Sequence, residues 1–217
     1  MVLKRIGTVL VAIGLILPLA PAAMAEQSYL SLHGGYTVTD NPDLYTFLGD
    51  IPHELQGGFA AGGALGIKMD EGLRLEVEMT YRVNSVSSIA ALPAGGRVSA
   101  ISAMFNIIEE FDLFVGAGDN YSKWGFSPYI GIGGGGARLA FEDVTVSGAP
   151  FGDDSDYVPA YQGIAGMVFD VGSQGLKMSI DYRYLTIIDG DFAGLSGPAF
   201  DAGYRHHSIL IGVRTAL

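Results

Sequence analysis

The chain has 217 residues, a net charge of −11, 32 glycines, 49% hydrophobic and 16% charged residues, and no cysteine. So acidic a balance, with no basic cluster, excludes a nucleic-acid binder and disfavours anionic membrane surfaces. The lack of cysteine excludes disulfide scaffolds, Cys-ligated zinc or iron centres, thiol nucleophiles and a lipidated Cys.

Residues 1–25 read as a secretory signal peptide. Lys4 and Arg5 open it, an apolar stretch runs from Ile6 to Leu19, Pro21 breaks the helix, and Ala23-Met24-Ala25 forms an A-x-A cleavage site. The apolar stretch is shorter than the ~20 residues a spanning helix needs. Residues 26–217 then form one domain with no other apolar run long enough to cross a bilayer as a helix. A membrane protein built from them must cross as strands.

Period-two alternation between clusters of Gly, Asp, Pro and Ser predicts eight strands, at 28–38, 57–69, 72–83, 96–107, 127–141, 159–171, 175–187 and 204–217. The first sets Leu30, Leu32, Tyr36 and Val38 against Ser31, His33 and Thr37. The third is the clearest, with Leu73, Leu75, Val77, Met79, Tyr81 and Val83 on one face and Arg74, Glu76, Glu78, Thr80 and Arg82 on the other. The fourth and sixth alternate poorly and their faces are not assigned; a bulge at Ser99 to Ile101 would account for the fourth. The seventh sets Met178, Ile180, Tyr182 and Tyr184 against Lys177, Ser179, Asp181 and Arg183, and the eighth sets Ile209, Ile211, Val213 and Leu217 against Ser208, Gly212 and Arg214.

The connections alternate as well. Asp70-Glu71 and 172–174 are tight turns, whereas 39–56, 142–158 and 188–203 are long, and 108–126 breaks the pattern on the short-turn side. Short turns on one rim and long loops on the other mark outer-membrane barrels. Alternation alone also fits a soluble lipocalin-type barrel, and three features favour the membrane. Aromatic residues of the apolar face lie toward strand ends, with Tyr36, Tyr81, Tyr182 and Tyr184 at the long-loop rim and Phe105 and Phe169 at the other. Strand glycines Gly35, Gly131, Gly133, Gly135 and Gly212 fall on the polar face, where a narrow lumen leaves little room. The last strand alternates to its end, so it can close on the first without an exposed edge. The fold expected is all-β: an eight-stranded antiparallel up-and-down transmembrane β-barrel.

Ser127-Pro128-Tyr129-Ile130-Gly131-Ile132-Gly133, Asp181-Tyr182-Arg183-Tyr184 and His207-Ser208-Ile209-Leu210-Ile211-Gly212-Val213-Arg214 resemble the small eight-stranded outer-membrane barrels of the OmpA and opacity-type surface antigens of Gram-negative bacteria. The resemblance implies a bacterial outer-membrane location, lipid and lipopolysaccharide as surroundings, and a role in membrane integrity, surface recognition or adhesion through loops on a rigid scaffold. A narrow porin-like channel is the alternative, and a lipid A-modifying enzyme the third reading.

The polar face supplies Arg74, Glu76, Glu78, Arg82, Asp181, Arg183 and Arg214. Charges of both signs in a narrow lumen must pair, giving either a closed ionic plug or, if pairs exchange partners, a gated ion path. The long loops are acidic without basic compensation: Asp40, Asp43, Asp50 and Glu54, then Glu142, Asp143, Asp153, Asp154 and Asp156, then Asp189, Asp191 and Asp201. They form a solvated, self-repelling surface or, at Asp153, Asp154 and Asp156, a divalent-cation contact that lacks the full spacing of a calcium loop. His206-His207-Ser208 invites a hydrolase reading, but Ser208 should face the lumen and no acid is assigned to His207. Gly133 to Gly136 lacks the Lys and the strand-loop-helix setting of a phosphate cradle. Neither catalysis nor a cofactor is expected.

Overall fold

Where one strand face is apolar and the other charged, burying the charges in a closed ring also satisfies every backbone group, and the chain adopts that solution. The computed structural model describes residues 27–40, 44–46, 49–51, 53–69, 72–111, 126–171, 175–192 and 200–217. The strands are β1 (Gln27–Asp40), β2 (Leu44–Thr46), β3 (Gly49–Ile51), β4 (His53–Leu55), β5 (Gly58–Lys68), β6 (Leu73–Ile89), β7 (Leu92–Glu110), β8 (Phe126–Val146), β9 (Ala149–Asp170), β10 (Lys177–Phe192) and β11 (Phe200–Ala216). The eight long ones pair antiparallel in chain order, and β1 pairs both β5 and β11, closing the ring. The signal peptide expected at 1–25 and most of the 108–126 connection lie outside the described residues.

The ladder reveals the stagger. Leu30 pairs Leu65, then Val77, Phe105, Gly134, Tyr161, Thr186 and Arg205 follow in turn, and Arg205 pairs Asp40. One circuit therefore climbs from Leu30 to Asp40 along β1, a shear of ten residues. With eight strands, that shear sets a strand tilt of about 40° and a lumen just wide enough to be filled by side chains.

The apolar face points outward. Leu32, Ile130, Ile132, Met167, Ile180, Ile209 and Ile211 are exposed, Ile132 at 70%. The charged residues named from the alternation are instead buried, Glu78 at 1% and Arg82 at 0% exposure. Only a solvent of hydrocarbon accepts such an inversion over a whole molecule. Outward aromatics Tyr36, Phe59, Tyr81, Tyr161 and Tyr182 gather toward the long-loop rim, with the Phe59 and Tyr81 rings 6.1 Å apart. Phe111, Phe126 and Phe169 mark the other rim, where Phe126 and Phe169 pair across strands with rings 6.3 Å apart. Phe105 also faces outward, but opposite Val77 and Gly134, within the apolar band. Inside, a Cβ at Gly212 would lie 2.6 Å from Ser179 Oγ, and one at Gly133 would overlap Asn106 Oδ1.

Two connections differ from expectation. Residues 142–158 are not a loop: β8 and β9 continue to Val146 and Ala149 and turn through Ser147 and Gly148, with φ of 49° and 82°. Likewise β6 and β7 extend to Ile89 and Leu92 around Ala90 and Ala91, with φ of 52° and 60°. Left-handed conformation at both central residues is the type I′ geometry that matches strand twist. The irregularity in the fourth predicted strand is at Gly96 (φ 107°), opposite a second at Asp143 (φ 52°), and not at Ser99 to Ile101.

The poor alternation has a simple cause. Val98, Ala100, Met104 and Ile108 of β7, and Val158, Ala160, Ile164 and Val168 of β9, face inward and are buried, so both faces of these strands carry apolar residues.

Candidate functional site

The interior is built in three layers along the inward row of β6, where Arg74, Glu76, Glu78, Thr80, Arg82 and Asn84 follow at every second position and all are buried. The lowest layer, by the short-turn rim, centres on Glu110 of β7. Its Oε2 accepts from Arg74 Nη1 at 2.8 Å and Arg214 Nη2 at 3.0 Å, and its Oε1 accepts from Lys68 Nζ at 3.0 Å. Arg74 also lies 3.3 Å from Glu76, whose Oε1 accepts from the Tyr29 hydroxyl at 2.6 Å. Aromatic faces cover the guanidiniums: Arg74 sits 4.8 Å from the Tyr129 ring centroid and Arg214 5.0 Å from that of Tyr29.

The middle layer joins opposite walls. Arg183 on β10 contacts Glu78 on β6 across the lumen, while its Nε donates to Asp181 at 2.6 Å. Glu78 also accepts from Asn106 Nδ2 at 2.9 Å and Thr80 Oγ1 at 2.8 Å, and Gln162 Nε2 donates to Asn106 at 2.8 Å. Because the Thr80 hydroxyl hydrogen goes to Glu78, its oxygen is free to accept from His33 Nε2 at 2.9 Å, which sets the tautomer of that imidazole. Breaking such a buried pair from one side costs about 3–5 kcal/mol, so these contacts lock the walls together.

Arg82 stands apart in the third layer. Its Nη1 donates to Ser102 Oγ at 3.0 Å, but Nε and Nη2 are buried without a partner among the described residues, as is Nε2 of the neighbouring His206. Above it the interior turns apolar. Val98, Leu139, Phe141, Val158, Leu185, Ile187 and Tyr204 form one buried cluster, with Leu139, Leu185 and Tyr204 at 0% exposure. Burial pushes ionisation of the Tyr204 hydroxyl well up, so this stopper carries no charge there.

All seven charged residues read from the sequence are thus in the lumen. Arg74, Glu76 and Arg214 meet in the lowest layer, Glu78, Asp181 and Arg183 in the middle, and Arg82 pairs with none of them. Glu110 escaped the sequence reading because the predicted strand ended at 107, whereas two more steps of the same parity point it inward. Tyr29 and Tyr129 stand at the openings of their strands, where the alternation has not yet declared a face. The apolar stopper left no signal distinct from a lipid-facing row.

Outside the barrel, His207 Nδ1 bonds the Tyr182 hydroxyl at 2.6 Å and its Nε2 lies 3.3 Å from Asp40. Its ring centroid is 4.9 Å from that of Tyr184. Asp40 therefore supplies the acid that could not be assigned to His207. Ser208, however, faces the lumen and donates to Thr37 Oγ1 at 2.9 Å, so the wall separates it from His207. Asp154 accepts from the amide of Ser155 at 2.8 Å and Asp156 from that of Tyr157 at 2.7 Å; the side chain of Asp153 lies outside the described residues. Among the described residues no three metal-capable side chains converge.

No protein-family model matches the chain. A protein of Gluconacetobacter diazotrophicus described as an outer membrane protein is 27% identical over 234 residues, covering 91% of this chain and 59% of that protein, so the chain spans about three fifths of the relative it matches. Among solved structures, Neisserial surface protein A (NspA) superposes with a TM-score of 0.52 at 16% identity, over 88% of this chain and 97% of that one. Ail, the attachment invasion locus protein of Yersinia pestis, gives a TM-score of 0.40 at 10% identity over 87% and 99%.

Proposed function

Because the chain is an eight-stranded β-barrel of the bacterial outer membrane, we propose that it works through the sheet it projects beyond the membrane, as a surface-recognition scaffold that also reinforces the bilayer, and not through its lumen. The projecting sheet carries this reading. A strand crosses a membrane in about 9–11 residues, yet β8 and β9 contain 21 and 22. Their outer halves, with those of β6 and β7, supply Val86, Ile89, Val98, Leu139, Phe141, Val144 and Val158 to the apolar stopper. Tyr157, Leu92 and Ile188 are exposed on this part, Tyr157 at 69%.

The same stopper argues for a closed lumen, since Leu139, Leu185 and Tyr204 are fully buried in an apolar cluster on the loop side of the charged layers. The wall between His207 and Ser208 supports a non-enzymatic role, and the outward aromatic ring supports lipid and lipopolysaccharide as the surroundings. Planar-bilayer recordings on protein whose folding is verified by a heat-dependent gel shift test the choice. Silence is expected; discrete current steps altered by Glu78→Gln would replace this reading with a channel.

A further inference from the structure

Gly134 and Gly136 of β8 are glycines that the barrel interior does not require. Both are exposed on the outward face; a Cβ at Gly134 would meet nothing within 4 Å, and one at Gly136 only the Val158 carbonyl oxygen, at 3.6 Å. Gly133 and Gly135 differ, since a Cβ there would overlap Asn106 Oδ1 or the Ala103 carbonyl oxygen. Glycine weakens a strand that has no close approach to accommodate, so the two outward glycines leave a notch in the lipid-facing wall with no internal cause. We propose that this notch, with Arg138 above it, binds the phosphorylated sugar head of an outer-leaflet glycolipid and the upper part of one acyl chain. The inference rests on the reading of lipopolysaccharide as the surroundings and names where one such molecule is held.

Register defines the site. Gly134 lies between Phe105 and Tyr161, whose exposed rings wall the notch, and Gly136 lies between Ala103 and Pro159. The next outward residue of β8 toward the loops is Arg138, between Ile101 and Tyr157. It stands two outward steps beyond the row that holds Tyr161 of the aromatic ring, at the level where lipid head groups begin.

Charge is the second, independent observation. Arg138 is half-buried, and its Nη2 donates to Ser155 Oγ at 2.8 Å. Among the described residues no carboxylate pairs with it, for Asp154 and Asp156 accept from the backbone amides of Ser155 and Tyr157. Arg97, by contrast, pairs with Glu142, and Arg205 lies opposite Asp40. A guanidinium with donors to spare at a membrane boundary takes phosphate by bidentate, charge-assisted bonds. The exposed Tyr157 ring offers a flat face to a sugar, and a methylene chain in the notch covers apolar surface.

The test uses the protein folded in zwitterionic detergent micelles and titrated, under native mass spectrometry, with lipid A carrying two phosphates, with dephosphorylated lipid A and with inorganic phosphate. Saturable binding of one phosphorylated lipid A is expected, weaker by about tenfold in Arg138→Gln, in Gly134→Leu and for the dephosphorylated lipid. Arg205→Gln, which removes an outward cation three strands away, should bind as the unsubstituted protein does. Gly134→Leu should keep or raise the melting temperature, because a side chain replaces strand glycine in open space. Equal affinity for the two lipids, unchanged binding in Arg138→Gln or Gly134→Leu, an equal loss in Arg205→Gln, or equal binding of inorganic phosphate would overturn the site. Should Gly134→Leu fail to fold, Gly136→Leu decides. Each of these failures would leave the silent lumen and recognition by the hairpin tips standing, since those are read by current steps and by cell binding.

Discussion

Arg82 shows how a single residue can be both legible and misread. Its parity with Glu78 and Arg74 places it in the lumen, and burial follows from the width of an eight-stranded ring. Pairing does not follow, because parity gives a face and not a neighbour across the barrel. Glu78 is taken by Arg183, leaving Arg82 with one serine and two unmet nitrogens. An unmet buried polar group costs about 1–3 kcal/mol, so Arg82→Met, which keeps an unbranched chain as far as the Nε position and removes the guanidinium, should stabilise the folded barrel by about that amount. Urea unfolding in micelles measures it; a loss of stability would show that Arg82 has a partner that the described contacts lack. Glu110 gives the opposite lesson, since a residue outside the predicted strand proves to bind three cations at once.

The hairpins show what a strand pattern reveals and conceals at the level of the element. The tight Asp70-Glu71 connection follows from sequence because charged residues interrupt two alternating runs, although those two residues lie outside the described ones. The β6–β7 turn gives no such sign, since Ala90 and Ala91 are unusual in left-handed conformation. A Cβ there crowds the following carbonyl at about 1–2 kcal/mol per residue. Replacing Ala90→Asn together with Ala91→Gly should therefore raise stability by about 1–2 kcal/mol without altering the strands. A thermal melt that stays put or falls would mean that the turn is not of this type. The β8–β9 hairpin reads as a loop in the sequence because Asp, Gly, Pro and Ser dominate 147–156, while pairing of Phe141 with Asp154 and Val144 with Gly152 is a matter of register. Register is set by the partner strand, which local composition does not report.

For the whole molecule, the apolar band and the projecting sheet are separable parts of one continuous ring. The band is held by the ion pairs of the two lower layers and by lipid; the projection is held by its own apolar cluster. Replacing residues 142–153 by Asn-Gly joins the registered pair Phe141 and Asp154 and removes the hairpin tip. This variant should still fold and keep the heat-dependent gel shift, while cells displaying it lose binding to whatever surface the unsubstituted protein recognises. Loss of folding would make the tip part of the barrel's stability, and unchanged binding would move recognition elsewhere.

By itself the sequence determined the period of two, the apolar face turned to lipid, the charged face turned inward, and the ring that both require. These follow from local facts, because successive side chains point to opposite faces and unpaired backbone is excluded from hydrocarbon. Only the tertiary structure decided which charges meet, that Glu110 gathers Lys68, Arg74 and Arg214, that Arg82 is left over, and that Leu139, Leu185 and Tyr204 close the outer end. Those outcomes depend on the ten-residue stagger from Leu30 to Asp40, which sets the heights at which distant strands face one another across the lumen.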